Sequence, residues 1–194
     1  MTLEQMLTLA GRLDDVPGFD APRERFRRFL REYVQDVSTA RVLIEQCQHV
    51  PGEQHHRALQ DLIVLLGRFL GFEVVFGSLT QMTARQHRGY WQSASRLHVA
   101  LDVTAPGSSL AVTAAFPRSV AAITATPLMA GARLAGLFVV APLSIDRRRV
   151  EEAVQAAALG VPVSVMTLQG VLSLAEIVSS GRATHSDVVR LFES

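Results

Sequence analysis

The sequence predicts an α/β protein with a mixed sheet, preceded by N-terminal helices. Three observations indicate this class: an amphipathic helical pattern over residues 53–70, short strand-like segments over residues 72–103, and a strand, helix, strand alternation in the second half. The chain has 194 residues, of which 48% are hydrophobic, enough for one globular unit with an appendage. We expect an N-terminal helical extension over residues 1–52 and an α/β domain with C-terminal helices over residues 53–194.

Three helices are expected in the first part of the chain. Asp20 is a suitable N-cap for a helix that has Pro22 in its first turn. A second helix over residues 37–48 ends before a proline and a glycine, and the third, over residues 53–70, ends at Gly71. We interpret the arginines of the first of these helices as a solvated face or as a patch for phosphate or an acidic partner. They are Arg23, Arg27, Arg28 and Arg31.

The strand-like segments lie at residues 72–76, 88–91, 97–103, 134–141 and 161–168. The first three follow the helix as a meander. The last two are nearly continuous apolar runs on either side of a helix over residues 148–159, which is typical of parallel strands covered on both faces. Short helices over residues 169–179 and 186–192 finish the chain, and Thr184 with Asp187 suits the start of the second. Residues 108–132 carry no assignable pattern.

Three local segments resemble parts of a known fold. Residues 57–62 running into 70–74 are similar to a first core helix and its exit into the first strand. Residues 97–104 are similar to a third strand, and residues 163–172 to a last strand that leads into a leucine-rich helix. Together with the order of the elements, these segments resemble the restriction-endonuclease-like fold of the PD-(D/E)XK nuclease superfamily. The resemblance covers about residues 53–180.

The resemblance implies a catalytic centre that this sequence fills only in part. Members of the superfamily use two acidic ligands to hold a divalent metal, and a lysine near the attacking water. The motif position reads Asp102-Val103-Thr104, so threonine stands where lysine is expected, and the chain has 19 arginines and no lysine. Asp102 is also the only acid in residues 74–145. We therefore expect a degenerate member without catalytic residues, metal or another cofactor. If the protein is active, Asp102 with Asp61 or Glu53 would form a rearranged site.

Other catalytic chemistry is poorly represented. Without lysine there is neither a Schiff-base nucleophile nor the phosphate-binding lysine of a P-loop. Cys47 is the only cysteine, which excludes an internal disulfide and a cysteine-based zinc site. His55 and His56 are adjacent and would point about 100° apart on a helix, a poor arrangement for a metal. No signal peptide or membrane-spanning run is recognised, so we expect a cytoplasmic protein.

Basic residues are concentrated in the predicted meander. Residues 74–145 contain five arginines and one acid, although the formal net charge of the chain is only +1. One interpretation is a surface that contacts nucleic-acid phosphates and stacks on bases, or that binds an acidic protein. The other is a solvated hairpin with Trp91 turned into the core. The candidate residues are Arg85, His87, Arg88, Tyr90, Trp91 and Arg96.

The segment that follows Asp102 is unusually poor in charge. Its apolar side chains form either an interface with a partner or a second copy, or core beneath the N-terminal helices. The candidate interface residues are Leu110, Val112, Phe116, Val120, Ile123, Leu128 and Met129.

The leading hypothesis is a catalytically inactive nuclease-like protein that acts as a protein-interaction or assembly module, with a protein partner or as a homo-oligomer. A pseudo-nuclease that binds DNA or RNA through the basic meander is the second hypothesis. A divergent metal-dependent nuclease with a rearranged site is the third.

Overall fold

The computed structural model describes residues 1–16, 18–78, 87–104, 116–124, 131–141, 147–156 and 159–193. Within these ranges the α-helices are α1 (Leu3–Ala10), α2 (Pro22–Tyr33), α3 (Val37–His49), α4 (Glu53–Leu66), α5 (Phe116–Thr124), α6 (Arg147–Ala156), α7 (Leu168–Ser179) and α8 (His185–Glu193). The strands are β1 (Glu73–Ser78), β2 (His87–Gln92), β3 (Leu97–Val103), β4 (Arg133–Val140) and β5 (Val163–Thr167). A 3₁₀ helix, Gly67–Leu70, joins α4 to β1.

The strands form one five-stranded mixed sheet in the order β1-β2-β3-β4-β5. The two hairpins β1–β2 and β2–β3 are antiparallel, whereas β3, β4 and β5 run parallel. The mixed sheet, the meander and the strand-helix-strand unit are therefore confirmed, as are the helices that precede them. β3 is the central strand, and all seven of its residues are buried.

Both faces of the sheet are covered. Residues of β3 and β4 that point to one face share a hydrophobic core with α4, α7 and α8, and the same core includes residues of α1, α2 and α3. On the opposite face Ala100, Phe138 and Val165 pack with α5 and α6. The N-terminal helices thus add to the first core. The domain boundary at residue 52 stays a prediction.

The expected interface residues that the structure describes are internal. Phe116, Val120 and Ile123 of α5 are buried in the second core, and the rings of Phe116 and Phe138 lie 5.7 Å apart. For these three residues neither interpretation holds, because α5 packs on the sheet and not beneath the N-terminal helices. Leu110, Val112, Leu128 and Met129 lie outside the described residues.

Two predicted helix starts have different outcomes. Ala21, not Asp20, is the N-cap of α2. The Asp20 carboxylate instead accepts hydrogen bonds from Arg25 and Arg28, and their charges lower its pKa. Thr184 and Asp187 do cap α8, since the Thr184 amide donates to the Asp187 carboxylate and the Asp187 amide donates to the Thr184 hydroxyl. In the described residues no helix is long and apolar enough to span a membrane.

Close packing at Gly67 positions α4 on the sheet. Trp91 of β2 is completely buried, and its indole Nε1 donates to the Val64 carbonyl at 2.8 Å. A Cβ on Gly67 would overlap the indole ring. Gly67 is needed for this close approach, since its backbone conformation is ordinary right-handed helix.

We expect Gly67→Ala to lower the free energy of unfolding by about 1–3 kcal/mol through overpacking, although alanine is the better helix former. Urea denaturation followed by circular dichroism measures the change. Gly170→Ala in α7 is the matched control, because its Cβ would lie 3.2 Å from the Thr167 hydroxyl and 3.7 Å from the Met166 methyl group, without the overlap seen at Gly67. Equal effects of the two substitutions would contradict this packing.

Candidate functional site

Asp102 lies near the end of β3, and its carboxylate is completely buried. The Oδ1 atom accepts a hydrogen bond from the Val103 amide at 2.8 Å and lies 3.3 Å from Nε of Arg88. The Oδ2 atom has no hydrogen-bond partner among the described residues. Burial raises the pKa of Asp102 to about 6, and the Arg88 charge and the Val103 amide oppose that rise only in part.

Arg88 reaches Asp102 because the two residues face each other across the β2–β3 hairpin. Tyr90 pairs with Ala100 in this antiparallel hairpin. Arg88, two residues before Tyr90, therefore comes opposite Asp102, two residues after Ala100. The Arg88 side chain is 21% exposed, whereas that of Asp102 is fully covered. The site therefore consists of one carboxylate and one guanidinium on neighbouring strands.

α4 contacts the backbone of β2 at Arg88. The Gln60 side-chain amide donates to the Arg88 carbonyl at 3.1 Å. Gln60 Oε1 and His56 Nδ1 are buried without a hydrogen-bond partner in the described part of the chain. Burial and then the charges of Arg88 and Arg23 lower the pKa of His56 to about 4, so His56 is neutral at pH 7. Sequence reasoning considered His56 only as a poor metal ligand and did not single out Gln60.

Thr104 occupies the position where the resemblance expects lysine, and it has a structural role. The residue is fully buried, and its hydroxyl accepts a hydrogen bond from the Ala141 amide at 2.9 Å. The Thr104 amide donates to the Val139 carbonyl, also at 2.9 Å. These bonds hold the end of β3 to the end of β4.

Asp61, the first candidate for a second acid, is already fully engaged. Its oxygens accept hydrogen bonds from Arg23 at 2.8 and 2.9 Å and from Arg27 at 3.0 and 3.1 Å. All three side chains are buried. Burial opposes ionisation of Asp61, but the two guanidinium groups outweigh it and lower the pKa of the carboxyl. Arg27 also donates to the Gly77 carbonyl at 2.6 Å and lies over the Phe76 ring.

This arrangement corrects the interpretation of Arg23 and Arg27 as a solvated face. A sequence signal for it exists, because Asp61 falls inside the apolar run of α4 and a buried carboxylate needs cationic partners.

Glu53, the other candidate acid, lies in the exposed first turn of α4. It forms an ion pair with Arg57 at 2.6 Å, and this contact lowers its pKa. Asp102, Asp61 and Glu53 thus have different arginine partners and do not form one cluster. No group of three or more His, Cys, Asp or Glu side chains is arranged to hold a metal within the ranges that the structure describes. The divalent metal that the resemblance implies does not fit the residues that the structure describes.

The predicted basic surface is divided by the fold. Trp91 lies in the core, as the second interpretation expected, and is not placed to stack on a base as the first one required. Arg88 is paired with Asp102, and Tyr90 is half-buried against His98 and His87, with ring centroids 5.7 and 5.3 Å apart. Arg96 is exposed in the β2–β3 turn, and Arg85 lies outside the described residues.

Comparison with known proteins identifies the fold. No protein-family model and no curated protein matches the sequence. The solved structure of the restriction endonuclease FokI is similar with a TM-score of 0.57 and 16% identity, covering 87% of this chain and 32% of FokI. FokI bound to DNA gives a TM-score of 0.56 and 14% identity over the same shares. The fold is restriction-endonuclease-like. This chain spans about a third of the length of FokI.

We expect Asp61→Asn to lower the free energy of unfolding by about 3–5 kcal/mol, because Arg23 and Arg27 lose their buried counter-charge. Glu53→Gln is the matched control: it also removes an arginine-paired carboxylate from α4, but at the surface, and should leave the urea midpoint nearly unchanged. A small effect of Asp61→Asn would contradict the structural role.

Asp102→Asn should instead raise the free energy of unfolding at neutral pH. Because the folded state holds the Asp102 proton more tightly than the unfolded chain, this group's contribution to stability falls as pH rises from about 4 to about 6. Asp102→Asn should remove this slope and stabilise the protein by about 1–3 kcal/mol at pH 7. Urea denaturation of both proteins between pH 4 and pH 8 measures it. Equal pH slopes would contradict the raised pKa.

Proposed function

We propose that this chain is a catalytically inactive protein with a nuclease-like fold, which acts as a protein-interaction or assembly module. The observation that carries the proposal is the pairing of Asp102 with Arg88. A divalent cation needs several oxygen ligands, and here the neighbouring strand offers a guanidinium in place of a second carboxylate.

Electrostatics argues against a metal at this point. A divalent cation about 4 Å from the guanidinium would be repelled by about 8 kcal/mol at the effective dielectric constant of a protein. A single carboxylate would have to overcome that repulsion and also lose its proton, since the pKa of Asp102 is raised to about 6. Asp61 could act as a second metal ligand only if its hydrogen bonds with Arg23 and Arg27 were broken.

The remaining parts of the site also favour a structural role. Thr104 has no amine to place near an attacking water, and its hydroxyl joins two strands. His56 is neutral at pH 7, because its pKa is lowered to about 4. Both buried candidate acids, Asp102 and Asp61, are paired with arginines of the chain itself, and this favours binding through the protein surface over catalysis.

Nucleic-acid binding is the second candidate function, and the similarity to FokI bound to DNA is the observation that favours it. Exposed Arg96, together with Arg85, would be the first contacts to test. This function predicts binding that weakens steeply with salt, because phosphate contacts release counterions.

We expect no cleavage of supercoiled plasmid or of a single strand above the buffer blank, with either Mg²⁺ or Mn²⁺, and the same result for Asp102→Ala. A commercial restriction endonuclease is the positive control. Cleavage by the wild type that Asp102→Ala abolishes would contradict the proposal and support the divergent nuclease.

Fluorescence anisotropy with a labelled duplex and a single strand, at about 50 and 200 mM salt, tests the second function on the same samples. Only weak association is expected under the proposed interaction role. Tight, salt-sensitive binding that Arg96→Glu reduces would favour the pseudo-nuclease that binds DNA or RNA.

A further inference from the structure

β5 is the last strand of the sheet in the part of the chain that the structure describes, and one of its edges faces away from β4. The Gly136 amide donates to the Pro162 carbonyl at 2.8 Å, so Pro162 and alternate residues after it direct their backbone groups toward β4. Val163 and Val165 therefore direct their amide and carbonyl groups toward the open edge. Such an edge is a template for a further strand.

The strand at this edge has neither a charged side chain nor an internal proline. Residues 153–175 contain no charged residue, and the strand itself reads Val163-Ser164-Val165-Met166-Thr167. Exposed edges in soluble proteins are usually protected by charged side chains or by a proline within the strand. Pro162 precedes β5 but does not interrupt it. The edge therefore suits an occupant that forms a strand.

α6 packs beside this edge and carries the feature that selects the occupant. A groove of about 390 Å³ lies between α6, β5 and Leu191 of α8, and Arg147 and Glu151 of α6 line it. The helix begins with three arginines, Arg147, Arg148 and Arg149, and continues through Val150 to Glu151 and Glu152. Arg148 and Glu152 form an ion pair within the helix, with Nε and Oε1 3.3 Å apart. Antiparallel apposition with an identical helix, centred at the level of Val150, would let each Arg148 exchange this partner for Glu152 of the other copy.

We propose that a second copy of this chain docks at this edge, with the two β5 strands antiparallel about a two-fold axis at Val165. In that register each Val165 exchanges both backbone hydrogen bonds with its counterpart, and Val163 lies opposite Thr167. A two-fold interface requires a self-complementary surface, and the strand and the α6 charge pattern both satisfy this. Such a dimer would be one form of the proposed assembly function, and its biological role rests on that proposal.

Charge reversal on α6 tests the docking without touching the core. Arg148 and Glu152 are 83% and 64% exposed. Sedimentation velocity from about 1 to 100 µM should show a dimer, and Arg148→Glu or Glu152→Arg alone should weaken it at least about tenfold. The double variant Arg148→Glu/Glu152→Arg should recover wild-type association, because the reversed pairs attract again. Glu32→Arg, at an exposed position of α2, is the control and should not change the association.

A second variant tests the strand edge itself. Val165→Pro removes an amide that points away from β4, which an edge strand tolerates, and it also replaces a side chain of the second core with a smaller apolar ring. We expect an unchanged circular dichroism spectrum and loss of the dimer. In hydrogen exchange, the Val163 and Val165 amides of the wild type should become protected as concentration rises.

Three results would overturn the docking surface: a wild type that stays monomeric at about 100 µM, a dimer insensitive to the single charge reversals, or a double variant that stays as weak as the single ones. Nuclease activity in the same samples would instead contradict the proposed function and leave the dimer measurement valid. The two failures are therefore distinguishable.

Discussion

The buried ion cluster of Asp61 with Arg23 and Arg27 is the interaction on which the arrangement of the molecule depends. It joins α2 to α4, and through the Arg27 bond to the Gly77 carbonyl it reaches β1. Four hydrogen bonds satisfy one carboxylate, so the buried charge is compensated only while both arginines are present. The N-terminal helices are thus linked to the sheet by charge as well as by the shared hydrophobic core.

The same cluster decides what the candidate site can do. An acid of α4 that holds two arginines is not available to a metal, and the other buried acid, Asp102, faces Arg88. Each buried carboxylate is therefore paired with cations of the chain itself. The two pairs differ in their electrostatics: four hydrogen bonds lower the pKa of Asp61, whereas burial raises that of Asp102, which has one backbone donor and one cation 3.3 Å away.

Hydrophobic periodicity predicted the fold well because it reports directly on burial. The pattern of α4 and the short apolar strands determined the order of elements, and FokI shows the same fold. Periodicity does not show which element covers an apolar helix. The residues of α5 were therefore interpreted as an interface or as core beneath the N-terminal helices, whereas α5 packs on the sheet. The burial of Arg23 and Arg27 was also missed, because arginines beside an apolar stripe follow the usual pattern of a solvated face. The pairing of Arg88 with Asp102 needs strand register, which no single residue encodes.

The most direct test of whether Asp102 can bind a metal is its carboxyl pKa. Carbon-detected NMR measures this pKa with and without saturating Mg²⁺. The resonance is assigned by its loss in Asp102→Asn. If Asp102 stays paired with Arg88 and binds no metal, its apparent pKa is about 6 and Mg²⁺ does not change it. A metal ligand must lose its proton, so a fall in the apparent pKa with Mg²⁺ would show that Asp102 binds the ion and would contradict the inactive site.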